Sequence, residues 1–249
     1  MTSSTPGRSQ RTVGVSLKMY FSFSQTTEYI LACAPLGPRA LALDVDIFII
    51  PDFLSLTSCS TALRLEAPTI RLGAQDCFWE DSGAYTGEVS PAVLKSIGCS
   101  LVELGHAERR RLFGETDEQV ARKARAAERN GLMPLVCIGE KSHGAVDEAV
   151  RECKPQIESI LDVTTEEVIF AYEPVWAIGQ PEPADSEYVV AVVKELRKLC
   201  GQRTVRFLYG GSAGPGTFEK IKEAVDGLFL GRFGHDPERF AQVISEVGS

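Results

Sequence analysis

Short apolar runs alternate with segments of helical periodicity along almost the whole chain. The apolar runs have the length and the β-branched content of strands, and they cover residues 13–17, 45–50, 69–72, 100–104, 134–138, 168–172, 205–209 and 227–230. The segments between them place apolar residues on one helical face, and they cover 25–34, 55–65, a short helix from 90, 116–130, 147–161, 185–200, 217–224 and 237–247. The pattern predicts eight strands and eight helices in strict alternation.

This alternation indicates an α/β fold with a parallel sheet, which is either a closed barrel or a doubly wound sheet. Eight strands without a composition break favour the single (β/α)8 TIM barrel with a closed sheet. A doubly wound nucleotide-binding domain would have G-x-G-x-x-G after its first strand, whereas Ser16-Leu17-Lys18-Met19 stands there. We therefore predict one barrel domain over residues 12–249, preceded by a disordered, polar lead-in over residues 1–11.

The stretch from Ile169 to Pro181 combines an apolar strand with an apolar segment that is bounded by prolines. Proline fixes φ and favours extended geometry in the residue before it, so Glu173 is held at the end of the strand. Val175, Trp176 and Ile178 follow where a surface loop is normally polar. This arrangement fits a carboxylate base beneath a lid that excludes water. An ordinary strand exit, with Trp176 filling part of the core, is the alternative.

The catalytic groups of such a barrel lie at the carboxyl ends of its strands. Lys18, His106 and Glu173 all follow strands, and glycine-containing turns follow the last two strands at 210–212 and at 231. Glycines let backbone N–H groups approach an anion closely, and the two turns together favour a phosphate site. Each of these features alone has an ordinary explanation, such as a tight turn, a surface lysine or a structural histidine.

Composition narrows the class of partner. The net charge of −8 argues against nucleic acid and against binding to an anionic membrane surface. No run approaches the roughly 18 apolar residues of a membrane span. The seven cysteines are scattered without a C-x-x-C pair or a nearby histidine, so reduced thiols in the cytoplasm are expected and a metal site is not.

Several motifs in this sequence resemble those of triosephosphate isomerase, in family order along nearly the whole chain. They are Gly105-His-Ala-Glu-Arg-Arg110, Ala171-Tyr-Glu-Pro-Val-Trp-Ala-Ile-Gly179, Tyr209-Gly-Gly-Ser212 and Gly73-Ala-Gln-Asp-Cys77 with Thr86-Gly-Glu88. The resemblance implies a (β/α)8 barrel that forms a homodimer, acts on a phosphorylated small sugar and uses no metal or organic cofactor. The family's reaction is a step of glycolysis and gluconeogenesis.

The resemblance also implies a role for individual residues. Glu173 resembles the base, His106 the electrophile that polarises the substrate oxygens, and Lys18 the cation that holds the phosphate and stabilises developing charge. These roles are the family's own mechanism. Glu108 resembles the family's glutamate beside the site. The backbone of Gly179, Ser212 and Gly231 resembles the part that binds the phosphate. Thr86 resembles the loop tip that enters the partner subunit.

The chain departs from the family pattern at positions expected around the substrate. Ser16 stands where the family has asparagine, and losing such a donor costs roughly 3–4 kcal/mol in the transition state. Arg232 replaces a glycine and either narrows the phosphate site or adds a charge to it. The other departures are Ala107 for a serine, Asp76 for an asparagine and Gln180-Pro-Glu-Pro183 at the far hinge of the lid.

These observations leave three functions open. The resemblance implies isomerisation of dihydroxyacetone phosphate to glyceraldehyde 3-phosphate through an enediolate. The short Ser16 side chain also makes room for a longer phosphosugar, such as an erythrulose phosphate. A catalytically silent barrel that binds a phosphosugar is the third possibility, favoured by Ser16 and the altered hinge but not by Lys18, His106 and Glu173.

Overall fold

Eight parallel strands close into a barrel in which each strand pairs with the next one along the chain and β8 pairs with β1. The computed structural model describes residues 11–180 and 183–249. The strands are β1 (Arg11–Ser16), β2 (Val45–Ile50), β3 (Ile70–Ala74), β4 (Leu101–Leu104), β5 (Met133–Ile138), β6 (Val168–Tyr172), β7 (Val205–Tyr209) and β8 (Gly227–Leu230). The predicted (β/α)8 fold is confirmed.

Helices cover the outside of the barrel, and the described residues contain ten of them rather than the eight expected. They are α1 (Phe23–Cys33), α2 (Leu36–Ala42), α3 (Leu56–Glu66), α4 (Pro91–Ser96), α5 (Ala107–Phe113), α6 (Asp117–Arg129), α7 (Val146–Leu161), α8 (Ser186–Leu199), α9 (Phe218–Ile221) and α10 (Pro237–Val247). The sequence pattern missed α2 because Gly37 and Pro38 normally interrupt helices. Both lie in the first turn of α2, where the backbone N–H groups have no helical partner and proline is tolerated.

The alternation of side chains along each strand separates two hydrophobic layers. A small cluster that includes Phe48, Leu101 and Phe229 fills the interior of the barrel. A much larger cluster, with Val13 and Ile47 among its members, lies between the strands and the helices. Gly14 faces the interior, where a Cβ atom would overlap the ring of Phe48 at 1.9 Å. The interior is thus a packed core, and only the strand ends are open to a ligand.

The first strand begins at Arg11, which pairs with Val45 of β2. Arg11 therefore belongs to the barrel and not to the predicted lead-in, whose other residues lie outside the described part of the chain. Across residues 11–180 and 183–249, none of the helices combines the length and the apolar character that crossing a bilayer would require.

All seven cysteines are buried and none forms a disulfide. Burial disfavours the thiolate and raises the pKa of these thiols, for example to about 12 for Cys33 and to about 11 for Cys200. Cys137, at the level of the strand ends, belongs to the interior cluster, as expected for a core thiol.

Candidate active site

Four of the predicted site residues meet at the carboxyl ends of the strands. Glu173 directly follows β6, and its Oε2 atom lies 3.4 Å from Nε2 of His106, in the segment after β4. Lys18, which follows β1, donates a hydrogen bond of 2.8 Å to Oε1 of Glu108. The other oxygen of Glu108 lies 3.5 Å from Nδ1 of His106. Two carboxylates, one imidazole and one ammonium group therefore share a single site.

The hydrogen bonding of His106 fixes which ring nitrogen carries the proton. His106 is the N-cap residue of α5, and its Nδ1 atom accepts a hydrogen bond of 3.1 Å from the backbone N–H of Glu108. A nitrogen that accepts carries no proton, so the neutral ring bears its hydrogen on Nε2. That Nε2–H group is on the side of Glu173. His106 is thus a neutral donor directed at the place where a substrate oxygen would sit.

Lys18 adopts a backbone conformation that is unfavourable for a residue with a side chain. Its φ of 49° lies in the left-handed region, at a cost of roughly 1–3 kcal/mol. The side-chain amide of Gln75 donates to the carbonyl oxygen of Lys18 at 2.8 Å and holds this conformation in place. Burial opposes the charge of Lys18, but the hydrogen bond to Glu108 and the nearby carboxylates of Glu173 and Glu103 outweigh it and raise the pKa. Lys18 is therefore a fixed cation.

Two glycines make room for Glu173. The Glu173 residue is only 5% exposed, and its Oε2 atom accepts no hydrogen bond from the described residues. A Cβ atom on Gly210 would lie 2.4 Å from Oε1 of Glu173, and one on Gly139 would lie 2.0 Å from its backbone oxygen. The carboxylate thus lies against the bare backbone of Gly210, with one oxygen free for a proton.

A cavity of about 440 Å³ opens beside these groups. Its wall combines backbone from the loops after β6, β7 and β8 with cationic side chains, and among its residues are Lys18, Gly179, Gly211, Ser212, Gly231, Arg232 and Arg239. Gly179 and Gly211 have φ values of 77° and 97°, which side chains rarely adopt. Exposed backbone next to several cations is suited to binding a small anion such as phosphate.

The carboxyl end of the predicted lid, at Ile178, Gly179 and Gln180, lines this cavity, and the lid is bonded at both ends. Its residues Val175–Ala177 form a short 3-10 helix, and the indole Nε1 of Trp176 donates to Oε1 of Glu140 at 2.8 Å. Farther along, Ser212 Oγ donates to the carbonyl oxygen of Gln180 at 2.7 Å. After the lid, the N–H group of Ala184 donates to the Tyr209 hydroxyl at 3.1 Å. Of the predicted stiff hinge, Pro181 and Glu182 lie outside the described residues.

The sequence model of the family described as Triosephosphate isomerase matches residues 11–247, which is nearly the whole chain. The chain belongs to the triosephosphate isomerase family. The isomerase class that the motifs predicted is thereby confirmed.

Similar curated members of the triosephosphate isomerase family carry two kinds of name. The chain is 44% identical to an L-erythrulose-1-phosphate isomerase of Pectobacterium atrosepticum, over 95% of both chains. It is 41% identical to a protein of the same name from Rhizobium etli, over 95% of this chain and 92% of that one. It is also 37% identical to Triosephosphate isomerase 2 of Listeria innocua, over 94% and 96% of the two chains.

The position where triosephosphate isomerases have asparagine is coupled here to a residue that the sequence analysis missed. Ser16, at the end of β1, donates a hydrogen bond of 2.8 Å from Oγ to Oε2 of Glu103 on β4. Burial raises the pKa of Glu103 from 4.5 to about 7, with Glu173 adding to the shift and His106, Ser16 and Lys18 opposing it. A charged residue within an otherwise apolar strand was the signal that could have identified Glu103.

Two other predicted positions lie away from the cavity. Thr86 is exposed in the long loop between β3 and α4 and is not among the residues that line the cavity. Asp76 does not adjoin the substrate site, contrary to expectation. Its carboxylate is bonded to Lys123 Nζ at 2.8 Å and lies 2.7 Å from Nε of Arg109. Asp76 therefore belongs to a buried ion-pair network that joins the third loop to α5 and α6.

A bound metal ion would require a set of donor side chains that lie close together. Within residues 11–180 and 183–249, no group of three or more histidine, cysteine, aspartate or glutamate side chains has an arrangement that could hold a metal ion. The groups that could stabilise developing charge are Lys18, the Nε2–H of His106 and the backbone around the cavity.

The contact between Gly210 and Glu173 gives the first prediction. In Gly210→Ala, the added methyl group must displace the Glu173 carboxylate, which is buried and cannot move far. A displacement of about 1 Å costs on the order of 100-fold in rate, so we expect kcat to fall by roughly that factor. Steady-state kinetics of the purified variant would measure this loss.

Gly144→Ala is the matched control. A Cβ atom there would also lie 2.4 Å from a glutamate oxygen, but that oxygen belongs to the exposed side chain of Glu148, which can move. We expect this variant to keep its kcat. Equal kcat values for Gly210→Ala and the wild type would show that the Glu173 carboxylate is not held in position by this contact.

Proposed function

We propose that this protein isomerises a small phosphorylated α-hydroxyketone by moving a proton between adjacent carbons, and that its substrate is the four-carbon ketose L-erythrulose 1-phosphate. The observation that carries the proposal is the position of Glu173 Oε2, which accepts no hydrogen bond from the described residues and lies 3.4 Å from His106 Nε2 beside a cavity that suits phosphate. A base that faces neutral and cationic hydrogen-bond donors is the arrangement that enediolate chemistry needs.

In the proposed reaction, Glu173 removes the proton from the hydroxyl-bearing carbon next to the carbonyl group. The electron pair moves towards the carbonyl oxygen and forms an enediolate. The Nε2–H of His106 and the ammonium group of Lys18 stabilise the negative charge, and Glu108 keeps Lys18 in place through the 2.8 Å bond. Glu173 then returns the proton to the neighbouring carbon, and the hydroxyl proton passes to the former carbonyl oxygen through Nε2 of His106, so that the new carbonyl group forms on the carbon that lost its proton. In a 1-phosphorylated four-carbon ketose, one neighbour of the ketone carries the phosphate, so the proton is removed from the other neighbour, which lies inside the carbon chain. The new carbonyl group is therefore internal too, and the product is another ketose.

The phosphate end of the substrate belongs in the cavity at the loops after β6, β7 and β8. We assign its binding to the backbone of Gly179, Ser212 and Gly231 and to the guanidinium group of Arg232, all of which line the cavity. Arg239 also lines it and adds a second guanidinium group. The protein carries a net charge of −8, so this local cluster supplies the attraction for a phosphate dianion that the protein as a whole does not.

The choice of a four-carbon substrate is supported from two sides. Two of the similar proteins carry the name L-erythrulose-1-phosphate isomerase, one at 44% identity. The Ser16 side chain is shorter than the asparagine of triosephosphate isomerases and leaves space beside the reacting carbons. Dihydroxyacetone phosphate, the substrate of glycolysis and gluconeogenesis, is the second candidate, because the chain belongs to the triosephosphate isomerase family and is 37% identical to a Listeria innocua protein of that name.

An assay of the purified protein with both ketose phosphates tests the proposal. We expect kcat/KM for L-erythrulose 1-phosphate to exceed that for dihydroxyacetone phosphate by about tenfold or more, the discrimination that one additional carbon can provide. Proton NMR in heavy water would follow the exchange of the transferred proton, and Glu173→Ala would give the uncatalysed background. A higher kcat/KM for dihydroxyacetone phosphate would instead indicate a triosephosphate isomerase, and turnover of neither compound would contradict the proposal.

We extend the proposal to a homodimer located in the cytoplasm, with no nucleic-acid or membrane partner. Large apolar side chains are exposed close to the site and along the long third loop, including Met19 at 93%, Tyr85 at 44% and Phe113 at 69% exposure. Thr86, next to Tyr85, lies where family dimers insert a loop tip. The unpaired cysteines support a reducing compartment. Light scattering and cell fractionation would test these two points.

A further inference from the structure

A serine and a glutamate form a buried pair beneath the proposed site. The Ser16 hydroxyl on β1 and the Glu103 carboxyl on β4 are joined by a hydrogen bond of 2.8 Å, although these two strands are not neighbours in the sheet. Ser16 is 2% exposed and Glu103 is 3% exposed. The bond therefore crosses the interior of the barrel at the level where the strands end.

The pair lies among the groups that carry the chemistry. Glu103 is within electrostatic reach of His106, Glu173 and Lys18. The phosphate grip, in contrast, is built from the loops after β6, β7 and β8. A substrate held by its phosphate at the cavity and by its reacting carbons at Glu173 would direct its far end towards Ser16 and Glu103.

The pair offers hydrogen-bond acceptors to a ligand, whereas the asparagine in the family pattern offers donors. An asparagine amide offers N–H donors to a carbonyl oxygen. The Ser16 proton is directed to Oε2 of Glu103, so the lone pairs of the serine oxygen are left for a ligand. Among the described residues, the one hydrogen bond to the Glu103 carboxyl is that from Ser16 to Oε2. An ionised pair therefore presents acceptors, and it suits a substrate group that donates a hydrogen bond, such as a hydroxyl.

A purely structural role does not account for this pair. Neighbouring interior positions at the strand ends hold Ile50, Cys137 and Ala171, which fill the space without a charge. A buried carboxylate is costly in such a place unless it is paired and hydrogen-bonded, and here only one of its two oxygens is bonded. An apolar residue would fill the same position at a lower cost.

We infer that Ser16 and Glu103 together bind the terminal hydroxymethyl group of a four-carbon ketose phosphate and thereby set the preference for that substrate over a three-carbon one. L-erythrulose 1-phosphate is dihydroxyacetone phosphate with one additional hydroxymethyl group, which is attached to the carbon that loses its proton. This group lies on the side away from the phosphate, where the pair is placed. The inference rests on the proposed function, because only a four-carbon substrate supplies the additional hydroxyl.

The test compares the selectivity of the wild type with that of Ser16→Ala and Glu103→Gln. Selectivity is the ratio of kcat/KM for L-erythrulose 1-phosphate to kcat/KM for dihydroxyacetone phosphate. A hydrogen bond to a charged group is worth about 10- to 100-fold, and we expect the ratio to fall by that factor in each variant. The double variant should lose little more than either single one, because both substitutions remove the same interaction. Glu166→Gln, an exposed carboxylate at the opposite end of β6, should keep the wild-type ratio.

The outcomes separate the inference from the proposed function. If the wild type prefers the four-carbon substrate but both variants lose activity on the two substrates equally, the inference is wrong and the proposed function stands. If the wild type shows no preference for the four-carbon substrate, the proposed function and the inference both fail. Glu103→Gln has nearly the same shape as the wild-type side chain, so a change in its ratio would support the inference even if Ser16→Ala did not fold.

Discussion

Replacing Glu173 with glutamine should lower kcat by about 10²- to 10⁴-fold, the usual contribution of a general base. The amide has the shape of the carboxylate but cannot accept the proton from the substrate carbon. The phosphate cavity does not include Glu173 among its residues, so we expect KM to stay within about threefold, as for a group that acts mainly in the transition state. Steady-state kinetics with the preferred ketose phosphate would measure both constants.

Two further variants show whether Glu173 acts through its position. Glu173→Asp retains a base but withdraws it by one methylene group, and a loss of about 100-fold is expected. Glu173→Ala removes the base and should lose at least about tenfold more kcat than the aspartate variant. Similar losses for the aspartate and alanine variants would contradict the role of a positioned base. Glu166→Gln, exposed near the start of β6, is the control for effects of removing a carboxylate elsewhere on the chain.

The second large effect concerns stability, and it comes from Glu103. Its pKa is raised by burial from 4.5 to about 7, so the folded protein keeps a proton that the unfolded chain has already released between these two values. The free energy of unfolding therefore falls as the pH rises through this window, by about 3 kcal/mol in total. Above the window, this group causes no further change.

Glu103→Gln should remove this pH dependence, because an amide does not ionise and can still accept the hydrogen bond from Ser16. We expect the variant and the wild type to have similar stability at about pH 5, and the variant to be more stable by up to about 3 kcal/mol at about pH 8. Denaturant unfolding at equal protein concentrations would measure the difference at both pH values.

Several ionisable or polar groups lie around Glu103 and could also contribute to the pH dependence of stability. They are Lys18 and Ser16 from the β1 end, His106 from the segment after β4, Cys137 from β5 and Glu173 from β6. None of them changes in Glu103→Gln, so a pH-dependent gain is due to the carboxyl group itself. Glu166→Gln should show no gain at the higher pH. A variant less stable than the wild type at about pH 8 would show that Glu103 stabilises the barrel in its ionised form.

The arrangement of strands and the positions of the main site residues could be predicted because both depend on local patterns. Apolar runs define the strands, and in a closed parallel barrel every strand end faces the same rim. This argument alone places Lys18, His106 and Glu173 near one another without any measured distance. The composition of the loops after β7 and β8 likewise predicted backbone suited to an anion, and Gly211, Ser212 and Gly231 of these loops line the cavity.

The features that sequence could not supply depend on contacts between distant segments. The bond from Gln75 to the Lys18 carbonyl, the contact of Gly210 with Glu173 and the pair of Ser16 and Glu103 each join different strand ends. Asp76 was expected beside the substrate because it replaces an asparagine of the family pattern, but its partner Lys123 holds it towards α6. The type of a residue near a strand end therefore does not predict which neighbouring side chain it will bind.

Because all seven thiols are buried, the protein depends on a reducing environment mainly before it has folded. During synthesis and folding every sulfur atom is open to oxidants, and mispaired chains could form. Once the barrel has closed, protonated sulfur atoms enclosed by side chains are poor nucleophiles, and oxidants reach them only when the chain opens. Oxidative damage would therefore accumulate in newly made or unfolding molecules, while the thiols of the folded protein stayed reduced.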